Sequence, residues 1–376
     1  MKPTRRSAAA AAMIVTATAG LLAGSGIMAG AASADSTFIG PLNTVTPLAS
    51  TIPQNGDVNP YGVAVVPRDN GDLHQGNVLV SNFNNKANVQ GTGTTIVQVT
   101  PGGQVSQFAK IGNMAGACPG GVGLTTALVA LRSGWVIVGS LPTKQVSGNT
   151  VISGSGCLIV LDDQGKVQET FTGHGINGPW DMTASSSGPA AQLFVTNVLN
   201  GTKAAGGMVV HRGTVLRLDL MVGGSQPPRL MSTTKIGSGF PQRTDPSALV
   251  IGPTGVGLAP NGTLYVANSL ASAINAIPGA TSRSTSAGTG TMITSGGALT
   301  TPLGLAIAPN NDVLTVNGGN GLIVETTPSG TQVAKKLLDS SGSPPGAGAL
   351  FGLAIAPANA GVYYVDDAVN TLRLLH

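Results

Sequence analysis

Hydrophobic and polar positions along this chain follow one short phrase that recurs six times. The phrase runs proline, any residue, glycine, an apolar run, a polar turn, a second apolar run, then Asn or Asp. The clearest copies are Pro253-Thr254-Gly255-Val256-Gly257-Leu258-Ala259-Pro260-Asn261-Gly262-Thr263-Leu264-Tyr265-Val266-Ala267-Asn268 and Pro302-Leu303-Gly304-Leu305-Ala306-Ile307-Ala308-Pro309-Asn310-Asn311-Asp312-Val313-Leu314-Thr315-Val316-Asn317. Unit one opens at Pro60-Tyr61-Gly62, unit two at Pro119-Gly120-Gly121, unit three at Pro179-Trp180-Asp181 and unit six at Leu350-Phe351-Gly352. The Gly-equivalent positions are 59, 60, 74, 49 and 48 residues apart, so the core unit is about 48 residues with insertions in the first three copies.

Short β-branched and aliphatic runs bounded by Gly, Pro and Asn predict strands rather than helices. Each unit offers a third such run, for example Ile96-Val97-Gln98-Val99 or Leu322-Ile323-Val324-Glu325. A Gly-containing hairpin and a fourth, outer run usually follow. Four antiparallel strands per unit, repeated at this period, make the blade of a propeller. The predicted fold is therefore all-β, a six-bladed β-propeller occupying residues 35–376 as a single domain. Unit six has no outer strand of its own, because the chain ends at His376. The extended segment at residues 43–50 is expected to supply it, which closes the ring and covers an exposed sheet edge. The connections between the second and third strands are long in units one to three (residues 83–94, 140–156 and 198–213). With the stretch 221–252, they are expected to crowd the face where the inner strands begin. Loops gathered on one face are where a ligand groove belongs.

Charge changes the picture little. The chain carries 19 basic and 15 acidic residues. Lys2, Arg5 and Arg6 precede an apolar, small-residue stretch over residues 8–28 and then Ala32-Ser33-Ala34, the pattern of a secretory signal peptide cut before Asp35. Removing residues 1–34 leaves a nearly neutral chain, with neither the basic footprint of a nucleic-acid partner nor a membrane-binding cluster. No later stretch is long enough to span a membrane. The expected location is extracellular or periplasmic, through either the general or the twin-arginine route, and the expected state is a monomer. Charged residues make up 9 % and glycines number 55, which suits short strands and tight turns. Cys118 and Cys157, the only cysteines, are expected to pair in an oxidising compartment. That bridge is worth roughly 4 kcal/mol on a chain-entropy estimate.

The phrase P-x-G-hydrophobic-A, a turn, then hydrophobic-x-V-x-Asn/Asp resembles the NHL repeat over nearly the whole chain. The resemblance implies a six-bladed propeller but not an activity, since related propellers include binders, lactonases and lyases. The more distantly similar senescence-marker and gluconolactonase-like propellers hold a divalent metal with Glu, Asn and Asp side chains in the channel. Here the residues before the Gly-equivalent are Tyr61, Gly120, Trp180, Thr254, Leu303 and Phe351. None offers the carboxylate or amide oxygens that a hard cation needs. Asp181, in the Gly slot of unit three, is the one carboxylate, and Asn59 and Asn177 are the nearest amides. The four histidines, His74, His174, His211 and His376, lack metal spacing. No metal or other cofactor is therefore expected.

Three aromatics at equivalent rim positions, Tyr61, Trp180 and Phe351, either stack on a ligand or plug the channel as core. The ligand-binding candidates are these three with Asp181, Thr254 and His211. His174 near Asp181, and His211 with Arg212, are the acid–base candidates. The recurring Asn82, Asn197, Asn268, Asn317 and Asp366 read as structural caps of the turn that follows them. The leading functional reading is a secreted propeller binding a small molecule or protein on its loop-rich face, with no catalytic set assigned. The alternatives are a lactonase-like hydrolase or lyase with an atypical channel site, and a structural envelope or matrix protein.

Overall fold

Each repeat of the phrase becomes the inner half of a four-stranded antiparallel sheet, and six such sheets form a β-propeller. The structure is a computed structural model that describes residues 37–376 except 113–116 and 225. The proposed leader lies outside the described residues. From the axis outward, blade one comprises Val58–Val65, Val78–Asn84, Gln90–Val99 and Val105–Lys110. Blade two comprises Leu128–Ala130, Val136–Ser140, Cys157–Leu161 and Val167–Phe171. Blade three comprises Pro179–Ser187, Ala190–Asn197, Val210–Met221 and Arg229–Asp245, with a short fifth strand, Leu249–Ile251. Blade four comprises Pro253–Leu258, Leu264–Asn268, Ala273–Ile277 and Thr291–Ser295. Blade five comprises Pro302–Ile307, Val313–Asn317, Leu322–Thr326 and Gln332–Leu337. Blade six takes Leu350–Ile355, Val362–Asp366 and Thr371–Leu375 from the end of the chain and Val45–Ser50 from near its start.

The ring closes as expected. Val45 pairs with Leu375 and Ser50 with Thr371 in antiparallel register. Just before this strand, Ile39 is fully buried in the wedge between blades five and six. The buried Glu325 carboxylate accepts hydrogen bonds from the Phe38 and Ile39 amides at 2.6 and 2.8 Å, so the segment is tied down before the strand begins.

Second strands are buried along their whole length in most blades, because both faces of each sheet are covered by neighbouring blades. The apolar core accordingly divides into wedges between consecutive blades, plus one further cluster at the axis. The inner strands approach each other closely. A Cβ at Gly352 would sit 1.9 Å from the Tyr61 carbonyl oxygen, and one at Gly304 would sit 2.3 Å from that of Phe351. This crowding, not turn geometry, is why the phrase demands glycine there.

Two parts of the sequence reading need correction. Pro119-Gly120-Gly121 does not open an inner strand. Blade two's inner strand is Leu128–Ala130, with Ala127 filling the crowded slot and Thr126 at the rim position. The Pro-Gly-Gly run lies in the connection before it, beside Cys118, which is disulfide-bonded to Cys157 with a Cα–Cα separation of 5.5 Å. The stretch 221–252 is not mainly loop either. Most of it is the 17-residue outer strand Arg229–Asp245 of blade three. The insertion at 140–156 folds as its own hairpin, Thr143–Val146 against Asn149–Ile152.

The recurring Asn and Asp side chains are buried, and three of them reach further than a local cap. Asn82 Nδ2 donates to the Thr51 carbonyl at 2.8 Å, and Asn317 Nδ2 to that of Ala298 at 2.7 Å. Asn197 Oδ1 accepts from the Asn177 and Gly178 amides at 3.1 and 3.3 Å. In each case the amide ties the end of a second strand to the connection entering the same blade.

Candidate functional site

Four aromatic rings meet where the inner strands begin. Trp180 and Tyr61 open their strands at equivalent positions, so the ring geometry points both at the axis. Trp180 Nε1 donates to the Tyr61 hydroxyl at 2.7 Å. Tyr61 stacks on Phe351 with centroids 5.2 Å apart and an interplanar angle of 27°. Trp180 meets Tyr61 edge-on at 5.9 Å, and Phe83 meets Tyr61 and Phe351 edge-on at 6.4 and 6.2 Å. These are the offset and edge-to-face arrangements that ring quadrupoles favour. Tyr61 is 1 % exposed and Trp180 5 %. Both are core, while Phe351 is the ring left partly uncovered. Thr126 Oγ1 fixes the Trp180 backbone by donating to its carbonyl at 2.5 Å.

The rings form a floor across the axis, with a cavity on either side. Toward the loop-rich face lies a cup of about 450 Å³. Its wall includes Asn59, Asn84, Leu303, Phe83, Phe351 and Asp367. Beneath the floor lies a narrower cavity of about 340 Å³, lined by Val63, Leu128, Met182, Val256, Leu305 and Leu353, one residue from each blade. Asp181 is the single charged group lining this cavity among the described residues. Desolvation pushes its carboxyl up to about 8, against a hydrogen bond accepted from the Met182 amide at 2.8 Å. Tyr61, which borders both cavities, is pushed well above its ordinary value by burial and by the nearby Asp181 charge.

In the cup, burial and the adjacent Asp366 push Asp367 up to about 7. Its Oδ1 is buried and meets no donor among the described residues. Among the described residues, no Lys, Arg or His lines the cup. Three of its lining residues, Asn59, Asn88 and Thr301, hold positive φ angles of 60°, 57° and 50°. Leu249, at φ 64°, sits in the adjoining segment. Left-handed backbone at Thr and Leu is strained, and strain of this kind concentrates where geometry serves a site.

The other sequence candidates fall elsewhere. Thr254 is fully buried, its Oγ1 bonded to Ser269 Oγ at 2.6 Å and to the Pro302 carbonyl at 3.0 Å, and it lines neither cavity. It staples blade four to blade five. His211 and Arg212 are exposed on the extended third strand of blade three, where His211 pairs with Pro241. His174 is exposed in an outer groove with Arg229. Neither histidine approaches the axis with Asp181. Gly120 packs on Pro142, away from the rim. Asn177 donates to Asn200 Oδ1.

Sequence reasoning missed Phe83 and Asp367. A signal was present: each directly follows the recurring Asn82 or Asp366, a position that lines the cup in blades one, five and six. The rim's threonine hydroxyls, on Thr126 and Thr254, are spent on bonds between blades. Among the described residues, no three His, Cys, Asp or Glu side chains converge.

No family model matches the chain, and no curated protein matches it in sequence. Solved structures do match. Gluconolactonase from Xanthomonas campestris is 13 % identical, with 89 % of this chain and 97 % of that one covered at a TM-score of 0.51. Streptogramin B lyase is 13 % identical, with 88 % and 96 % covered at 0.51. The calcium-binding protein regucalcin from Agrobacterium tumefaciens is 12 % identical, with 89 % and 95 % covered at 0.53. At such identities the likeness speaks to architecture alone. The chain shares the six-bladed propeller fold of gluconolactonase-like proteins and of streptogramin B lyase.

Proposed function

We propose that this protein binds a compact small molecule in the axial cup on its loop-rich face. The observation that carries the reading is the cup itself, a concave space with an aromatic floor, amide groups on its wall and strained backbone at its lip. Apolar pockets with a few convergent polar groups are the usual form of ligand sites. The propeller supplies rigidity, and Tyr61 with Trp180 supports the floor rather than contributing much open surface. The exported setting belongs to the same proposal, with residues 1–34 as leader and 35–376 as the propeller domain. The Cys118–Cys157 bridge is compatible with an extracellular or periplasmic location. So is the lack, among the described residues, of a helix long and apolar enough to cross a membrane.

A screen of small ring compounds by ligand-observed NMR tests the reading. Ala248 lies on the cup wall in a partly exposed segment, so Ala248→Phe should fill the cup and leave the fold intact. Hits are expected with the native protein and not with Ala248→Phe. Hits that persist in the filled variant would place binding elsewhere.

A lactonase-like hydrolase or lyase is the second reading. Asp367 favours it, as a carboxyl in the cup held near neutrality and so able to exchange a proton during a reaction. The activities named for the gluconolactonase and the streptogramin lyase support the same class. Turnover of a lactone that is lost in Asp367→Asn would put this reading first.

A further inference from the structure

We infer that the cup selects a cationic ligand, an ammonium or other nitrogen cation held between Asp367 and the aromatic rings. The inference rests on the cup being the binding site. Three independent features of the cup point the same way.

Charge comes first. Among the described residues, Asp367 is the one acid on the wall and no base accompanies it. Its neighbour Asp366 is already paired, with Arg373 Nε 3.1 Å from Asp366 Oδ2. Arg373 thus answers Asp366 and leaves Asp367 uncompensated. An anionic ligand would meet a carboxylate with nothing to neutralise either charge, whereas a cation would supply the missing partner.

The second feature is the orphaned oxygen. Asp367 Oδ1 is buried without a donor among the described residues. A buried acceptor left unmade is costly, and a ligand N–H or N–CH group entering the cup would satisfy it.

Aromatic content is the third. Aromatic residues are 3 % of the chain, yet Phe83, Tyr61, Trp180 and Phe351 all border this one cavity. Ring faces attract cations through their quadrupole, and the effect strengthens as the cation is desolvated. A cup of about 450 Å³ has room for a substituted ammonium group.

The ionisation of Asp367 gives the inference a pH signature. The groups around it are Asp366 on the same turn, Arg373 on the third strand of blade six, Asp339 from blade five acting on Asp366, and Tyr61 at the floor. A cation favours the carboxylate over the neutral acid. Affinity should therefore rise between pH 6 and pH 8, by about tenfold if binding requires the ionised form.

Calorimetric titration with choline and with its neutral carbon isostere, 3,3-dimethylbutan-1-ol, tests this. Choline is expected to bind about tenfold more tightly than the alcohol at pH 8. Asp367→Asn should remove most of that preference, with its melting temperature confirming the fold. Phe351→Leu should weaken choline more than the alcohol. Equal binding of the two probes, or a preference that survives Asp367→Asn, would overturn the cation inference and leave the cup standing as a site. If neither probe binds although ring compounds bind the cup in the NMR screen, the cation inference alone falls. If the screen fails as well, the binding reading falls with it.

Discussion

Trp180→Ala is expected to destabilise the propeller by about 3–5 kcal/mol, the usual cost of deleting a buried large aromatic. For a chain of this size that corresponds to a melting temperature lower by roughly 4–7 °C. The reason lies in the floor. Trp180 packs edge-on against Tyr61 and donates to its hydroxyl, so truncation opens a cavity and strands a buried oxygen. Tyr61→Phe separates the two contributions. It keeps the ring stack on Phe351 and deletes only the hydrogen bond, for a loss of about 1 kcal/mol. Thermal unfolding of both variants checks the account. Were Trp180 an open binding surface on an otherwise rigid rim, its truncation would leave the melting temperature within a degree or two of the native value.

Asp181→Asn should act in the opposite direction, and only at higher pH. The native carboxyl is pushed up to about 8 by burial, whereas in the unfolded chain it titrates near its ordinary value. Between pH 4 and pH 8 the unfolded state therefore holds fewer protons than the folded state at this site. Stability must fall as pH rises through that window and level off above it. Each pH unit of difference is worth about 1.4 kcal/mol at most, and solvent in the channel reduces the total to roughly 2–4 kcal/mol. Asparagine keeps the oxygen that accepts from the Met182 amide and carries no charge. The variant should match the native protein near pH 4 and exceed it by that margin at pH 8. Asp366 and Asp367, pushed up to about 6 and 7, slope the same way in both proteins, so the difference between the two profiles isolates Asp181. Denaturant unfolding at a series of pH values provides the measurement. Parallel profiles would show that Asp181 is ionised in the native channel at neutral pH.

The architecture was legible because the phrase records two physical demands at once. Glycine marks where inner strands crowd at the axis, and Asn82, Asn197 and Asn317 mark where a second strand is tied to the connection entering its blade. Blade two shows how the first mark can mislead. Ala127 meets the same steric demand as glycine, so Pro119-Gly120-Gly121 looked like the inner strand while serving the connection before it. The closing strand was legible from a deficit, since Thr371–Leu375 had no outer partner in its own repeat, and Val45–Ser50 pairs with it. The candidate site was half legible. Tyr61, Trp180 and Phe351 stood out as aromatics at equivalent positions in an aromatic-poor chain. That Tyr61 and Trp180 are floor and Phe351 is its open part depends on which ring covers which, and periodicity carries no such information. Phe83 and Asp367 depend on the turn after the second strand pointing inward. His211 and Thr254 lie outside the cup for local reasons: one pairs with Pro241 where the third strand of blade three runs past the second, the other spends its hydroxyl between blades.

The most direct test of the cup as the binding site uses the chain's economy of tryptophan. There are two, Trp135 and Trp180. Trp135 is buried in the wedge between blades two and three, so Trp135→Phe leaves Trp180 as the sole reporter at the floor. Its emission should be followed while a ring compound from the screen is titrated in, with calorimetry in parallel. The account predicts a saturable change in Trp180 emission whose midpoint matches the calorimetric affinity. A compound that binds by calorimetry and leaves Trp180 emission unchanged would contradict it.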